Sequence, residues 1–252
     1  KKEAKTAKPI IISTGMASKK EIKEAINVAK SSGCRNIILL KCTSSYPADP
    51  RESNILSIKQ LRKELCHSEE LIQITDFGAG SSINNKRHRK VKDVAKNSAK
   101  NAKFGELLYR ICQFFKPNSI VELGTSLGIS TCYLSTANRQ SKVFTFEGCP
   151  ETAQLAKKNF EQMGLQNIDI TIGDFGHTLK EKLAQIENID LAFIDGNHQK
   201  KPTINYFEEI LKYTNNNTIF IFDDIHWSDG MESAWEYIKA HEKTSLTIDL
   251  FF

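Results

Sequence analysis

Two short stretches carry the densest chemistry in the chain. LAFIDGNH, residues 191–198, ends an apolar run on Asp195, Asn197 and His198, and FIFDDIHW, residues 220–227, ends another on Asp223, Asp224, His226 and Trp227. Three carboxylates gathered where neighbouring strands open repel one another unless a cation or protons offset their charge. A site made of carboxylate oxygens suits Mg2+ or Mn2+ better than zinc. The bland alternative makes Asp223 and Asp224 caps of the following turn and leaves the histidines as surface groups.

A second group lies upstream. SIVELGTSLGIST, residues 119–131, runs from an apolar strand through Glu122, Gly124, Ser126 and Gly128 into a helical pattern. Its spacing, E-x-G-x-x-x-G, differs from the G-x-G-x-x-G of a dinucleotide cradle, so a pyrophosphate is not its natural ligand. Glu147 ends the next strand, where a carboxylate can accept hydrogen bonds from both hydroxyls of a ribose. Asp174, in IGDF after the third strand, is placed to meet an adenine amino group. Together these residues describe a nucleoside site that needs no diphosphate.

The elements that must position these groups alternate regularly from residue 104 onward. GELLYRICQFF is an amphipathic helix stopped by Lys116-Pro117, SIVEL a short buried strand, and helix and strand then take turns as far as SLTIDLFF. Such alternation predicts an α/β fold, a Rossmann-like doubly wound and mostly parallel sheet, whose ligands sit beyond the carboxyl ends of the strands. All the residues singled out above fall at such ends. The last strand, TIDLFF, has no hairpin partner strand after it. The sheet is therefore expected to be incomplete or completed by another chain, which allows a homo-oligomer.

Charge divides the chain into unlike parts. Residues 1–103 carry 22 Lys and Arg against 10 Asp and Glu, whereas residues 104–252 carry 13 against 20. The basic stretch KRHRKVKDVAKNSAKNAK, 86–103, repeats its apolar residues at helical spacing with lysines between them, which reads as a solvated helix face. No aromatic residue interleaves with these lysines, so nucleic acid is not the expected partner. The upstream segment LIQITDFGAGSS, 71–82, also resembles a strand and glycine loop, but no acid-ended strand follows it. It is expected to pack on or near the site. The six cysteines form no C-x-x-C pair and read as reduced, buried thiols. No run of about 18 apolar residues occurs, and the basic N-terminus lacks the apolar core of a signal peptide, so a cytoplasmic protein with no membrane partner is expected.

On these motifs, residues 104–252, with the preceding segment from about residue 66, resemble a class I S-adenosylmethionine-dependent methyltransferase of the bacterial O-methyltransferase type. The E-x-G-x-x-x-G loop and the strand ending I-D-G-x-H carry the likeness. The resemblance implies S-adenosylmethionine as cofactor, with Glu122 and Gly124 against its methionine part, Glu147 on the ribose and Asp174 near the adenine. Metal-dependent enzymes similar to catechol methyltransferase place an aspartate after the fourth strand and an acidic pair after the fifth, which match Asp195, Asp223 and Asp224. Where that group has a lysine as base, this sequence has His198. His198 and Asp195 are thus the expected catalytic residues, acting on a hydroxyl of a small molecule or sugar.

Residues 8–50 read strand, amphipathic helix, glycine stop, strand, a βαβ unit. STGM and CTSSYP within it resemble strand-end motifs of the sialic acid synthase family, whose members condense phosphoenolpyruvate with an amino sugar on a (β/α)8 barrel. By that resemblance Ser13 would approach phosphate, and Ser44 and Tyr46 the sugar. The likeness covers roughly residues 8–62, about two of eight barrel repeats, and Lys41 stands where the family has histidine. The expected organisation is a synthase-like fragment at 1–62, a basic helical extension at 63–103 and a methyltransferase domain at 104–252. The competing reading is an inactive cofactor-binding scaffold or a synthase remnant.

Overall fold

The computed structural model describes residues 10–13, 18–34, 37–40, 55–75 and 88–250. They fall into two compact units, 1–53 and 54–252.

In the first unit, strand β1 (Ile10–Ser13), helix α1 (Lys19–Ser31) and strand β2 (Ile37–Leu40) form the expected βαβ unit, with β1 and β2 parallel and Ile10 opposite Ile37. Ser18 and Glu21 cap α1 reciprocally: the Ser18 N–H donates to Glu21 Oε2 at 2.7 Å, and the Glu21 N–H to Ser18 Oγ at 3.3 Å. That exchange satisfies donors which the first turn of a helix leaves orphaned. Ala29 and Cys34 are buried beside Ile37.

The second unit opens with helix α2 (Ile55–Leu65), an antiparallel pair β3 (Leu71–Gln73) and β4 (His88–Lys90), and helices α3 (Val91–Asn97) and α4 (Ala102–Phe115). Alternating elements follow: β5 (Ser119–Leu123), α5 (Ile129–Ala137), β6 (Lys142–Glu147), α6 (Pro150–Gln162), β7 (Ile168–Ile172), α7 (Phe175–Leu183), β8 (Ile189–Ile194), α8 (Lys200–Leu211), β9 (Thr214–Phe222) and α9 (Asp229–Ala240). The sheet runs β7-β6-β5-β8-β9 and every pair in it is parallel. Chain order therefore reverses between β5 and β8, and the crevice at that reversal is where such sheets bind ligands. Apolar runs such as IVEL and LAFI suit strands covered on both faces. Ile120, Val121, Leu123, Leu191 and Ala192 are accordingly without exposure.

The N-terminal helices belong to this core. Ile58, Leu61 and Leu65 of α2 and Val91, Val94 and Ala95 of α3 pack with Leu127, Cys132, Tyr133 and Phe160. The compact unit thus begins at Asn54, ahead of the boundary expected after residue 62, because the apolar stripe of α2 is spent on the second unit. Of the described part of the basic stretch, 91–97 is helix α3, 88–90 is strand, a turn follows Asn97, and Ala102 and Lys103 already belong to α4. Asn101 caps α4, accepting from the Phe104 N–H at 3.1 Å, and Lys116 in the left-handed region ends that helix before Pro117. Cys34, Cys66, Cys112, Cys132 and Cys149 are free thiols; Cys42 lies outside the described residues.

One expected element is corrected. SLTIDLFF alternates like a strand, yet residues 244–250 form none, and Leu246, Ile248 and Leu250 are exposed. No described strand pairs with this segment, so its alternation is not converted into a ladder. Trp235, by contrast, is core as its spacing indicates, packed with Phe207 and Ile238.

The packing of α2 yields a direct test. Ile58 is wholly buried in the second unit, and both tryptophans of the chain, Trp227 and Trp235, report on that unit. Ile58→Ala should lower its stability by about 2–5 kcal/mol, read as a shifted midpoint of tryptophan fluorescence in denaturant. An unmoved midpoint would show that α2 is not part of this core.

Candidate functional site

The site residues ride on the ends of the parallel strands. The Asp195 N–H donates to Leu123 O at 2.8 Å and the Asp223 N–H to Ile194 O at 3.0 Å, so each strand end is fixed to its neighbour beyond the regular ladder. Gly124 has φ +104°, and a Cβ there would lie 2.0 Å from the Asp195 carbonyl oxygen. Only glycine lets the loop after β5 touch the end of β8. Gly128, at φ +79°, begins α5, where a Cβ would meet the Phe160 ring at 2.4 Å.

Glu147 is held by that loop. Its Oε2 accepts from the Ser126 N–H at 2.7 Å and its Oε1 from the Cys149 N–H at 2.9 Å. Ser126 reaches this position with φ +49°, an uncommon conformation for a side-chain-bearing residue and one that clusters at functional sites. The segment from LIQIT packs beside this corner, as expected. The Gln73 N–H donates to Glu151 Oε2 at 2.6 Å, and the Thr75 N–H to Cys149 Sγ at 3.4 Å. Residues 76–82 of that segment lie outside the described residues.

Asp174 caps α7, its Oδ1 accepting from the Gly176 N–H at 2.7 Å, while its Oδ2 is 3.8 Å from His177 Nδ1. Glu122 lies deeper than a ligand contact would suggest. It is fully buried, and its Oε2 accepts from Thr131 Oγ1 at 2.5 Å and Thr145 Oγ1 at 2.6 Å. Burial pushes its carboxyl up to about 7, against the hydrogen bonds of Ser130, Thr131 and Thr145, which favour the ionised form. It ties β5, α5 and β6 together beneath the loop.

The acidic end is arranged differently from a three-carboxylate metal cage. Asp195 and Asp223 converge, but the ammonium of Lys100 stands at their meeting point, 3.1 Å from Asp195 Oδ2 and hydrogen-bonded to Asp223 Oδ2. Asp224 points elsewhere. It has φ +52°, and its Oδ2 is 3.8 Å from His198 Nε2, which is in turn 3.9 Å from Asp195 Oδ1. Among the described residues no group of three His, Cys, Asp or Glu comes together to hold a metal ion. With Lys100 in this position the residues expected as metal ligands do not fit a divalent ion, because a positive charge already fills the space between two of them.

Burial raises the Asp195 carboxyl well above the ordinary carboxylate range, an effect that Lys100 reduces and Asp223 adds to. Burial would raise Asp223 as well, but Lys100 and the hydrogen bonds from Asp195 and Lys100 outweigh it and hold Asp223 below its usual value. One ammonium between two buried carboxyls reduces the cost of their mutual repulsion without cancelling it. Asn197 and His198 both have positive φ, at 70° and 46°, so the turn after β8 holds two consecutive strained residues. Asn197 Nδ2 donates to Tyr206 Oη at 3.1 Å.

Lys100 and the residue that anchors it are what sequence reasoning missed. Arg62, on α2, donates from Nε to Lys100 O at 3.0 Å and from Nη2 to Ala95 O at 3.2 Å. A signal was available: Asn97 and Ser98 break the helical register and Asn101 begins another helix, so Lys100 sits in a turn rather than on a solvated face. For the synthase-like residues, Ser13 ends β1, and Ser44 and Tyr46 lie outside the described residues.

The parallel five-stranded sheet with its flanking helices is the class I methyltransferase-like fold. Residues 121–225 match the family described as a methyltransferase domain, and residues 1–69 match the NeuB family. The second unit is 30% identical over 131 residues to a catechol O-methyltransferase of Niastella koreensis, covering 51% of this chain and 57% of that protein. The N-terminal part is 48% identical over 64 residues to the N,N'-diacetyllegionaminic acid synthase of Campylobacter jejuni, 25% of this chain but only 19% of the synthase. Among solved structures, the O-methyltransferase from Bacillus cereus in complex with SAH superposes with a TM-score of 0.52 at 20% identity, covering 79% of this chain and 83% of that one. Residues 121–225 are thus similar to a methyltransferase domain, behind a short synthase-like segment, and the chain spans little more than half of the catechol O-methyltransferase and about a fifth of the synthase it matches. No helix among the described residues is long and apolar enough to cross a membrane.

The buried Glu122 carboxyl predicts a pH effect on stability. The folded state holds this proton more tightly than the unfolded chain, so the contribution is complete below about pH 4.5 and is lost as pH rises through about 7. The loss is on the order of 3 kcal/mol. Glu122→Gln should remove it, and thermal unfolding between about pH 5 and about pH 8 should then show a flatter decline in Tm than the wild type.

Proposed function

We propose that the second unit transfers the methyl group of S-adenosylmethionine to a hydroxyl oxygen of a small molecule or sugar. The observation that carries this reading is the Glu147 corner. A carboxylate at the end of β6, clamped by the Ser126 and Cys149 N–H groups against the glycine loop, is built to receive a ribose. Asp174 lies at the end of β7, where the adenine of a nucleoside on Glu147 would extend. A methionine end laid across the loop would bring its methyl toward the ends of β8 and β9, where Asp195, His198 and Asp223 stand.

Transfer is a displacement at carbon. A lone pair of the acceptor oxygen forms the new C–O bond while the C–S bond breaks, and its electron pair stays on sulfur. The hydroxyl proton must leave, and His198 Nε2 is the group placed to take it. Its distances of 3.9 Å to Asp195 Oδ1 and 3.8 Å to Asp224 Oδ2 put it where the resulting imidazolium is electrostatically supported. Holding oxygen and methyl in line supplies much of the acceleration, and the chain does this by fixing both partners on one rigid sheet edge. The catechol O-methyltransferase relative supports a phenolic hydroxyl as the first acceptor class to test. The N-terminal likeness to enzymes of acidic sugars supports a sugar hydroxyl as the second.

Calorimetric titration of S-adenosylmethionine should show binding that Glu147→Ala weakens by about tenfold or more, the worth of one or two charge-assisted hydrogen bonds. Equal binding by the variant would remove Glu147 from the cofactor site, and no binding by the wild type would remove the methyl-transfer reading.

A further inference from the structure

We propose that Lys100 is the resident cation of the acceptor site, occupying the place between Asp195 and Asp223 that a divalent ion would otherwise take. Three independent features support it. First, the ammonium is shared by both carboxylates, and its side chain is only 15% exposed. A flexible surface lysine gains little from an exposed ion pair and rarely gives up solvent for one. Second, its backbone is fixed on both sides: Arg62 binds the Lys100 carbonyl, and the next residue, Asn101, caps α4. Third, Arg62 also binds Ala95 O, at the end of the buried face of α3, so the whole turn from 95 to 101 is held to α2. The turn is a bracket that carries one positive charge to the acidic strand ends.

The chemistry follows from the donor count. An ammonium has three N–H groups, of which the carboxylates of Asp195 and Asp223 take two. The third is available to an acceptor oxygen, where a positive charge stabilises the anion that develops as the hydroxyl proton leaves for His198. Lys100 then does by charge and hydrogen bonding what a metal ion would do by coordination, and Arg62 is a positioning residue. A divalent ion could enter only by expelling an ammonium tethered to the protein and paired with both of its ligands.

This inference deepens the methyl-transfer reading, on which its chemical meaning rests, but it can be tested without cofactor or acceptor. Mn2+ alone is titrated into the full chain and its binding followed by loss of the free-ion paramagnetic resonance signal. Wild type should bind weakly, and Lys100→Met should bind about tenfold more tightly or better, because an adjacent positive charge has gone and two carboxylates remain. Lys100→Arg, which keeps the charge, should stay weak, and the nearly isosteric Lys100→Gln repeats the comparison should the methionine variant fail to fold. Wild type binding Mn2+ as tightly as Lys100→Met would overturn the proposal, since the lysine would then be displaced freely. So would the absence of Mn2+ binding in every variant, since the carboxylate pair would not be a cation site at all. If S-adenosylmethionine fails to bind while the Mn2+ pattern holds, methyl transfer falls and the assignment of the cation stands.

Discussion

Two carboxyl groups end adjacent parallel strands where little water reaches them, and a single ammonium must offset both. Much of the second unit can be understood from that constraint. Parallel strands bring all their carboxyl ends to one edge, so Asp195 and Asp223 are neighbours by topology and not by choice of rotamer. Unpaired, they would be costly to bury. The charge that answers them comes from Lys100, far back in the chain, in a turn whose carbonyl Arg62 of α2 binds and which Asn101 continues into α4. The glycine loop shares the same wall, since Gly124 touches the Asp195 carbonyl. The Glu147 corner and the acidic corner are therefore joined through the glycine loop.

Sequence similarity and packing draw different boundaries through the N-terminal half. The NeuB match runs to residue 69, past α2, whereas the compact unit containing the sheet begins at Asn54. An amphipathic helix specifies an apolar stripe and not a partner, so ILSIKQLRKEL can be similar to one family and still bury Ile58, Leu61 and Leu65 in another fold. The same helix presents Arg62 to the Lys100 turn. A segment that resembles a synthase thereby forms part of the support for the acidic strand ends.

The strand ends were legible because fully buried parallel strands are short apolar runs, and each run stops abruptly on a polar residue. That pattern located Glu122, Glu147, Asp174, Asp195 and Asp223 at the sheet edge without any knowledge of packing. It could not say which way a side chain turns: Glu122 faces inward to Thr131 and Thr145, and Asp224 faces His198 instead of joining the other two aspartates. Lys100 was legible only indirectly, as a turn residue between the break at Asn97 and Ser98 and the helix start at Asn101, because its charge partners lie far along the chain. SLTIDLFF failed for the opposite reason. Its alternation is a proper strand pattern, but a strand needs an edge to pair with, and that condition is not written in the segment itself.

The most direct test of the account is a crystal structure of the chain with S-adenosylhomocysteine. The account predicts the ribose hydroxyls on Glu147, the adenine toward Asp174, and the sulfur directed at the space bounded by Lys100, Asp195 and His198. A ligand bound elsewhere, or one whose sulfur faces away from that space, would contradict it.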